Sequence, residues 1–193
     1  MTTERLTGGE AIVRGLVDHG VDTVFALPGA QTYGLMDALK LAEPKIRTIG
    51  ARHEQGVGYM AVGYAKASGR PGVCSVVPGP GLLNAGAALL TAWGASTPVL
   101  ALAGQINTHF LGQERLALHE MRDQLLVMRQ VSKWAERIDR PETAPALVAE
   151  AFRQMRSGRP APAGLEMPWE VFTQREDVTP QPPLAPISAP ERR

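Results

Sequence analysis

What most limits the choice of fold here is an order of features that recurs in the first half of the chain: a short apolar run, a turn built from Pro and Gly, then residues at helical spacing. Val21 to Leu27 closes at Pro28-Gly29, Gly72 to Val77 stops at Pro78-Gly79-Pro80-Gly81, and Pro98 to Ala103 runs into Gly104-Gln105. Short apolar runs bounded by such turn residues read as buried strands. Between them lie helical stretches. Thr7-Gly8-Gly9-Glu10 has the form of a capping box, and Ala11, Ile12, Leu16 and Val17 follow at helical spacing until Gly20. Tyr33 to Leu41 and Leu82 to Trp93 are further helices. Strands alternating with helices through short loops imply parallel strands, right-handed crossovers and helices on both faces. The expected fold is therefore three-layer α/β/α with a mainly parallel sheet, whose ligands collect at the carboxyl ends of the strands.

The remaining pattern fits that frame. Pro44 precedes a strand at Lys45 to Ile49, and a helix of Ala, Gly and Tyr covers Met60 to Ala67. A long polar loop runs to about Glu120. Gln124 to Arg129 reads as a helix, Ser132 to Ile138 as a short strand, Pro141 to Met155 as a capped helix, and Ala163 to Met167 as a last strand ending at Pro168. No internal sequence repeat is visible. Residues 1–178 form the expected domain; residues 179–193 hold five of the sixteen prolines and read as an extended linker or tail.

Composition excludes several classes of function. A net charge of +1, with aromatics at 5% and no basic stripe, makes nucleic acid an unexpected partner. No apolar segment reaches membrane-spanning length and no signal-peptide core is present, so the expected location is the cytoplasm, with no membrane partner. The single cysteine, Cys74, sits in an apolar run and reads as a small buried hydrophobe.

Chemistry concentrates at Arg52-His53-Glu54-Gln55-Gly56-Val57-Gly58, between a strand and a helix. Glu54 stands there among residues too small and apolar to solvate it. Full burial raises a glutamate pKa by as much as roughly 3 to 5 units, which suits a carboxyl group to sharing a proton with a ligand nitrogen. The plainer reading is an acid resting on the positive end of a helix dipole. Other motifs are weaker. Gly56-Val57-Gly58-Tyr59-Met60-Ala61 matches a dinucleotide fingerprint, yet Val77-Pro78-Gly79 stands about where its ribose-binding acid belongs. Pro78 to Gly81 lacks the Gly-Lys-Ser/Thr of a P-loop and reads as a rigid strand-to-helix turn. His53-Glu54 and His119-Glu120 each lack the second histidine of a zinc helix, so no metal site is expected in this chain.

Taken together, these motifs resemble the N-terminal pyrimidine-binding domain of thiamine diphosphate enzymes, closest to the acetolactate synthase group. The resemblance rests on Val24 to Gly29, Arg52 to Gly56 with Met60-Ala61 and Gly63-Tyr64-Ala65, Gly79-Pro80-Gly81 with Asn84, Pro98-Val99 to Gly104-Gln105, and Ser157-Gly158-Arg159-Pro160. It implies that Glu54 hydrogen-bonds N1′ of the aminopyrimidine and so activates the thiazolium for attack on a 2-oxo acid. It also implies that Leu27, Pro28, Gly29, Pro80, Asn84 and Gln105 line the cofactor. Leu27 replaces a common Tyr, Leu118-His119-Glu120 a common Phe-Gln-Glu, and Gly164-Leu165-Glu166-Met167-Pro168 a strand ending in Asp-Ile-Pro. His119 is thereby a substrate-side candidate, its plainer reading being a surface histidine on the long loop.

By the same resemblance Mg²⁺ and the diphosphate belong to a PP domain, usually of another subunit in a homodimer or tetramer, because no Gly-Asp-Gly occurs here. FAD occurs in the full-length family, and no residue here calls for it. The chain is then expected to be the N-terminal part of a longer 2-oxo acid decarboxylase or carboligase, with the Pro-rich tail leading to a central domain. The alternatives are one subunit of a split decarboxylase, or a non-catalytic interaction module with the same fold.

Overall fold

A computed structural model describes residues 2–188. Six strands form one parallel sheet in the order β3-β2-β4-β5-β7-β6. They are β2 (Thr23–Ala26), β3 (Arg47–Gly50), β4 (Gly72–Val76), β5 (Val99–Gln105), β6 (Trp134–Arg137) and β7 (Ala163–Pro168). The helices are α1 (Gly8–Asp18), α2 (Tyr33–Leu41), α3 (Glu54–Ser68), α4 (Pro80–Gly94), α5 (Gln124–Val131) and α6 (Ala144–Arg156). The expected three-layer architecture is what the chain adopts.

Two apolar clusters, one on each sheet face, define the layers. In β5, Leu100 and Leu102 join the cluster under α1, α2 and α6, while Ala101 and Ala103 join the one under α3, α4 and α5. A strand buried on both faces needs apolar residues throughout, which is why β4 and β5 read as continuous rather than alternating runs. The small side chains on the second face let α3 and α4 lie close to the sheet and to each other. Where α3 crosses α4, a Cβ on Gly58 would stand 2.7 Å from the Cβ of Ala88.

Local signals account for most helix ends. Thr7 and Glu10 form the expected reciprocal capping box on α1. Gly69, with φ 71°, closes α3 in the left-handed conformation that glycine accepts without strain. Two expectations need correction, and one strand pair is new. First, α3 begins at Glu54, not near Met60, and His53 is its N-cap, accepting the Gln55 amide at 3.1 Å. Tight packing of Gly58 on α4 outweighs the low helix propensity of the glycines. Second, Pro141–Thr143 is a 3-10 turn, and α6 starts after it at Ala144 with no side-chain cap. In the new pair, β1 (Glu4–Thr7) and β8 (Arg175–Val178) run antiparallel, apart from the main sheet, and bring the two ends of the domain together. Neither strand has an apolar run to betray it.

Residues 179–188 carry no helix or strand, as expected of the tail, but they lie against the domain: Pro180 is buried and the Ile187 amide donates to Ser157 Oγ at 2.8 Å. The last part of the predicted tail, residues 189–193, lies outside the described residues. No helix among the described residues is long and apolar enough to cross a membrane.

Candidate functional site

The parallel order places the carboxyl ends of β2, β3, β4 and β5 side by side, and the turns that follow them meet on one rim. Gly29 lies on Val77, where an added Cβ would stand 2.6 Å from the Val77 Cγ1. Gly104 lies under the backbone of Gln31, its virtual Cβ 2.4 Å from that carbonyl. These approaches explain the glycine after β2 and the one near the end of β5: any side chain would push the neighbouring backbone away.

Glu54 enters this rim as the first residue of α3. Its Oε2 accepts from Asn84 Nδ2 at 3.0 Å, and its Oε1 stands 3.5 Å from where a Cβ on Gly81 would be. Oε1 takes no hydrogen bond among the described residues. The expectation of a carboxylate starved of solvation is corrected in part, because Glu54 is half-buried and Asn84 satisfies one of its oxygens. The plainer reading is met: an acid in the first turn of α3 sits favourably in the helix dipole.

The other expected residues divide. Leu27 and Gly29 are half-buried, Pro28 and Pro80 exposed, and Asn84 exposed except for its bond to Glu54. Of these, Asn84 is the one hydrogen-bonded to Glu54. Gln105 behaves differently. It is 1% exposed, and its amide is spent inward: Oε1 accepts the Ile106 amide at 2.7 Å and Nε2 donates to Glu166 Oε2 at 3.2 Å. Its side chain supports the rim from behind, because buried Glu166 draws it there.

Glu166 is the centre of a network that the sequence reading missed. It is wholly buried in β7 and receives Arg137 Nε at 2.6 Å, Gln124 Nε2 at 2.8 Å and Gln105 Nε2. Gln124 also donates to the Gly104 carbonyl at 2.9 Å and accepts the Gly79 amide at 2.7 Å. A buried carboxylate is tolerable only when paired and hydrogen-bonded, and this one is both. The consequence reaches the site: Gln124 anchors Gly79, whose φ of 59° and ψ of −115° turn the chain from β4 into α4. An acid inside the apolar strand Ala163 to Met167 was the one available signal for this network. Nothing local marked Gln124.

The long loop after β5 returns across the rim. A Cβ on Gly79 would lie 2.4 Å from the His119 carbonyl oxygen, and His119 Nδ1 lies 2.8 Å from Gln31 Oε1. His119 is thus brought to the same rim as Glu54, while His53 faces outward as a helix cap. Cys74 is fully buried in β4, and burial pushes its thiol up to about 12, far from any nucleophilic use. Among the described residues, no group of three or more His, Cys, Asp or Glu side chains could hold a metal ion.

A family model, described as thiamine pyrophosphate enzyme, N-terminal TPP binding domain, matches residues 6–127. The probable 2-ketoarginine decarboxylase AruI of Pseudomonas aeruginosa is 40% identical over 167 residues, covering 86% of this chain and 30% of that protein. The acetolactate synthase large subunit of Corynebacterium glutamicum is 34% identical over 195 residues, covering 98% of this chain and 30% of the subunit. Acetolactate synthase isozyme 1 large subunit of Escherichia coli is 34% identical over 184 residues, with 95% and 32% covered. The chain thus spans only 30% to 32% of the length of these relatives.

Proposed function

Since this chain belongs to the family of thiamine pyrophosphate enzymes, as their N-terminal TPP binding domain, we propose that it activates the cofactor in a 2-oxo acid decarboxylase or carboligase. The observation that carries this reading is the asymmetry of Glu54: Asn84 holds Oε2, while Oε1 stands without a partner beside Gly81. A carboxylate oriented by one fixed hydrogen bond, with its second oxygen open, is prepared to share a proton with a ring nitrogen.

The residues present fit the pyrimidine end of thiamine diphosphate. Gly81 leaves room against Glu54 that any side chain would narrow, and Leu27, Pro28 and Pro80 offer apolar flanks to a flat ring. When bound, the cofactor supplies the electron sink that lets a 2-oxo acid lose carbon dioxide. This chain's part is to orient and to move a proton. Glu54 Oε1 would hold the proton at N1′ of the aminopyrimidine, Asn84 would keep the carboxylate from swinging away, and Gln124 would keep the Gly79 turn in place. We assign the diphosphate and Mg²⁺ to a PP domain outside this chain.

The partner reading has its own support. Beside Glu54 and Asn84, the outer face of α3 and α4 leaves Tyr59, Leu83, Leu90 and Trp93 between 42% and 55% exposed. Contiguous exposed apolar side chains mark interaction surfaces. A PP domain of another subunit seated here would cover the half-exposed carboxylate and exclude water from it. The pairing of Glu54 with Asn84 also favours an enzyme over a non-catalytic module, since an interaction role has no need of it.

The test combines the intact protein that carries this chain with thiamine diphosphate, Mg²⁺ and either pyruvate or 2-ketoarginine, and follows carbon dioxide release. Glu54→Gln is expected to lower the rate by about 10² to 10⁴. Equal rates for the two proteins would remove the assignment.

A further inference from the structure

Gln31 and His119 both have left-handed backbones, with φ of 65° and 66°. That conformation is uncommon outside glycine and, where it persists, tends to mark a functional constraint. These two residues lie 88 positions apart in sequence and touch through their side chains. Neither carries a signal in the sequence that announces the other.

Their hydrogen bonds decide a tautomer. Gln31 Nε2 donates to the Leu118 carbonyl at 2.9 Å, and a carbonyl can only accept, so the Gln31 amide has one permitted orientation. That orientation turns Oε1 toward His119 Nδ1, 2.8 Å away. Oε1 also can only accept, so Nδ1 must carry a hydrogen. In a neutral imidazole the other nitrogen, Nε2, then holds a free lone pair. Among the described residues Nε2 makes no hydrogen bond. The His119 backbone rests on Gly79, in the turn whose Gly81 stands beside Glu54 Oε1.

We propose that Gln31 is a positioning residue that locks His119 as the Nδ1–H tautomer and leaves Nε2 as the unprotonated nitrogen offered to the reacting substrate. The proposal rests on the functional reading given above. It assigns to His119 Nε2 the accepting of a hydrogen bond from a hydroxyl of the substrate or of water beside it, and to Gln31 the setting of that tautomer.

The tautomer is tested on the full chain labelled with ¹⁵N-histidine, with no cofactor added. Long-range ¹H–¹⁵N spectra are taken at about pH 9, above the range in which histidine ordinarily titrates. The chain has four histidines, and loss of one signal set in His119→Gln identifies the set of interest. Protonated Nδ1 and unprotonated Nε2 are expected in the wild type. Gln31→Leu should lose that preference. A wild-type ring protonated at Nε2, or a preference unchanged in Gln31→Leu, would overturn the proposal.

The consequence for turnover is tested on the intact protein. Gln31→Leu should lower kcat about tenfold or more, with the half-saturating thiamine diphosphate concentration within about twofold of wild type. An unchanged kcat in Gln31→Leu would also overturn the positioning role. A fully active Glu54→Gln would instead sink the functional reading, while the tautomer result would stand.

Discussion

Asn84 donates its side-chain amide to Glu54 Oε2 across 3.0 Å, joining the start of α3 to the second turn of α4. The bond holds one carboxylate oxygen and so determines where the other can be. Asn84 is exposed and supports no core, so Asn84→Leu is expected to change unfolding stability by no more than about 0.5 kcal/mol. Thiamine diphosphate affinity of the intact protein, measured by titration calorimetry, should fall about tenfold, the cost of one hydrogen bond to a charged group. Asn84→Asp should weaken it further, because two carboxylates would then face each other.

Gln124→Leu tests the support under the Gly79 turn. It leaves the Gly79 amide without its acceptor and takes one donor from buried Glu166. Losing buried partners of this kind is expected to cost about 2 to 3 kcal/mol, read as a lower urea midpoint at unchanged slope.

Arg137→Met removes the one cation bonded to Glu166 among the described residues and leaves a wholly buried carboxylate with the amide donors of Gln105 and Gln124. A loss of about 3 to 5 kcal/mol is expected. Adding Glu166→Gln to the same protein should recover part of it in the same urea titration, since the uncompensated charge is then gone.

Two glycine substitutions should act in opposite directions. Gly79→Ala meets both a positive φ and the His119 carbonyl, and is expected to destabilise by about 2 kcal/mol or more. Gly63 lies inside α3 with nothing within 4 Å of an added Cβ, so Gly63→Ala should stabilise by about 0.5 to 1 kcal/mol. Thermal melts of the two variants beside wild type separate the cases.

At the amino ends of the strands, just before β2, Asp22 provides a pH test. The Tyr64 hydroxyl, bonded at 2.7 Å, and the Arg70 guanidinium at 2.6 Å hold its carboxyl down to about 2. A depressed carboxylate stabilises the fold above its unfolded value near 3.9, and that contribution is lost as pH falls toward 2. The melting temperature of Asp22→Asn should therefore fall less steeply than wild type between pH 4 and 2, the window set by those two values. The side chain is half exposed, so the difference should shrink in high salt.

Much of the fold was legible because each strand-to-helix junction carries its own chemistry. Pro28-Gly29 and Pro78 to Gly81 end strands by backbone geometry alone, and the capping box at Thr7 needs only its neighbour three residues on. The β1–β8 pair was not legible. Glu-Arg-Leu-Thr and Arg-Glu-Asp-Val have no apolar period, and they pair only because the two ends of the domain are brought together. Gln105 was legible as a residue at the end of β5 but not in its direction, which buried Glu166 decides from a different strand.

What the chain determined locally was where strands stop, the cap of α1, and that an acid would stand between β3 and the helix that follows it. Those outcomes depend on turn propensities, capping and spacing within a few residues. What only the tertiary structure decided was which of these meet: Glu54 with Asn84, Gln124 with Gly79, Gln31 with His119. Each pair depends on the sideways order of the strands, and that order leaves no period in the sequence because it is set by packing between residues far apart along the chain.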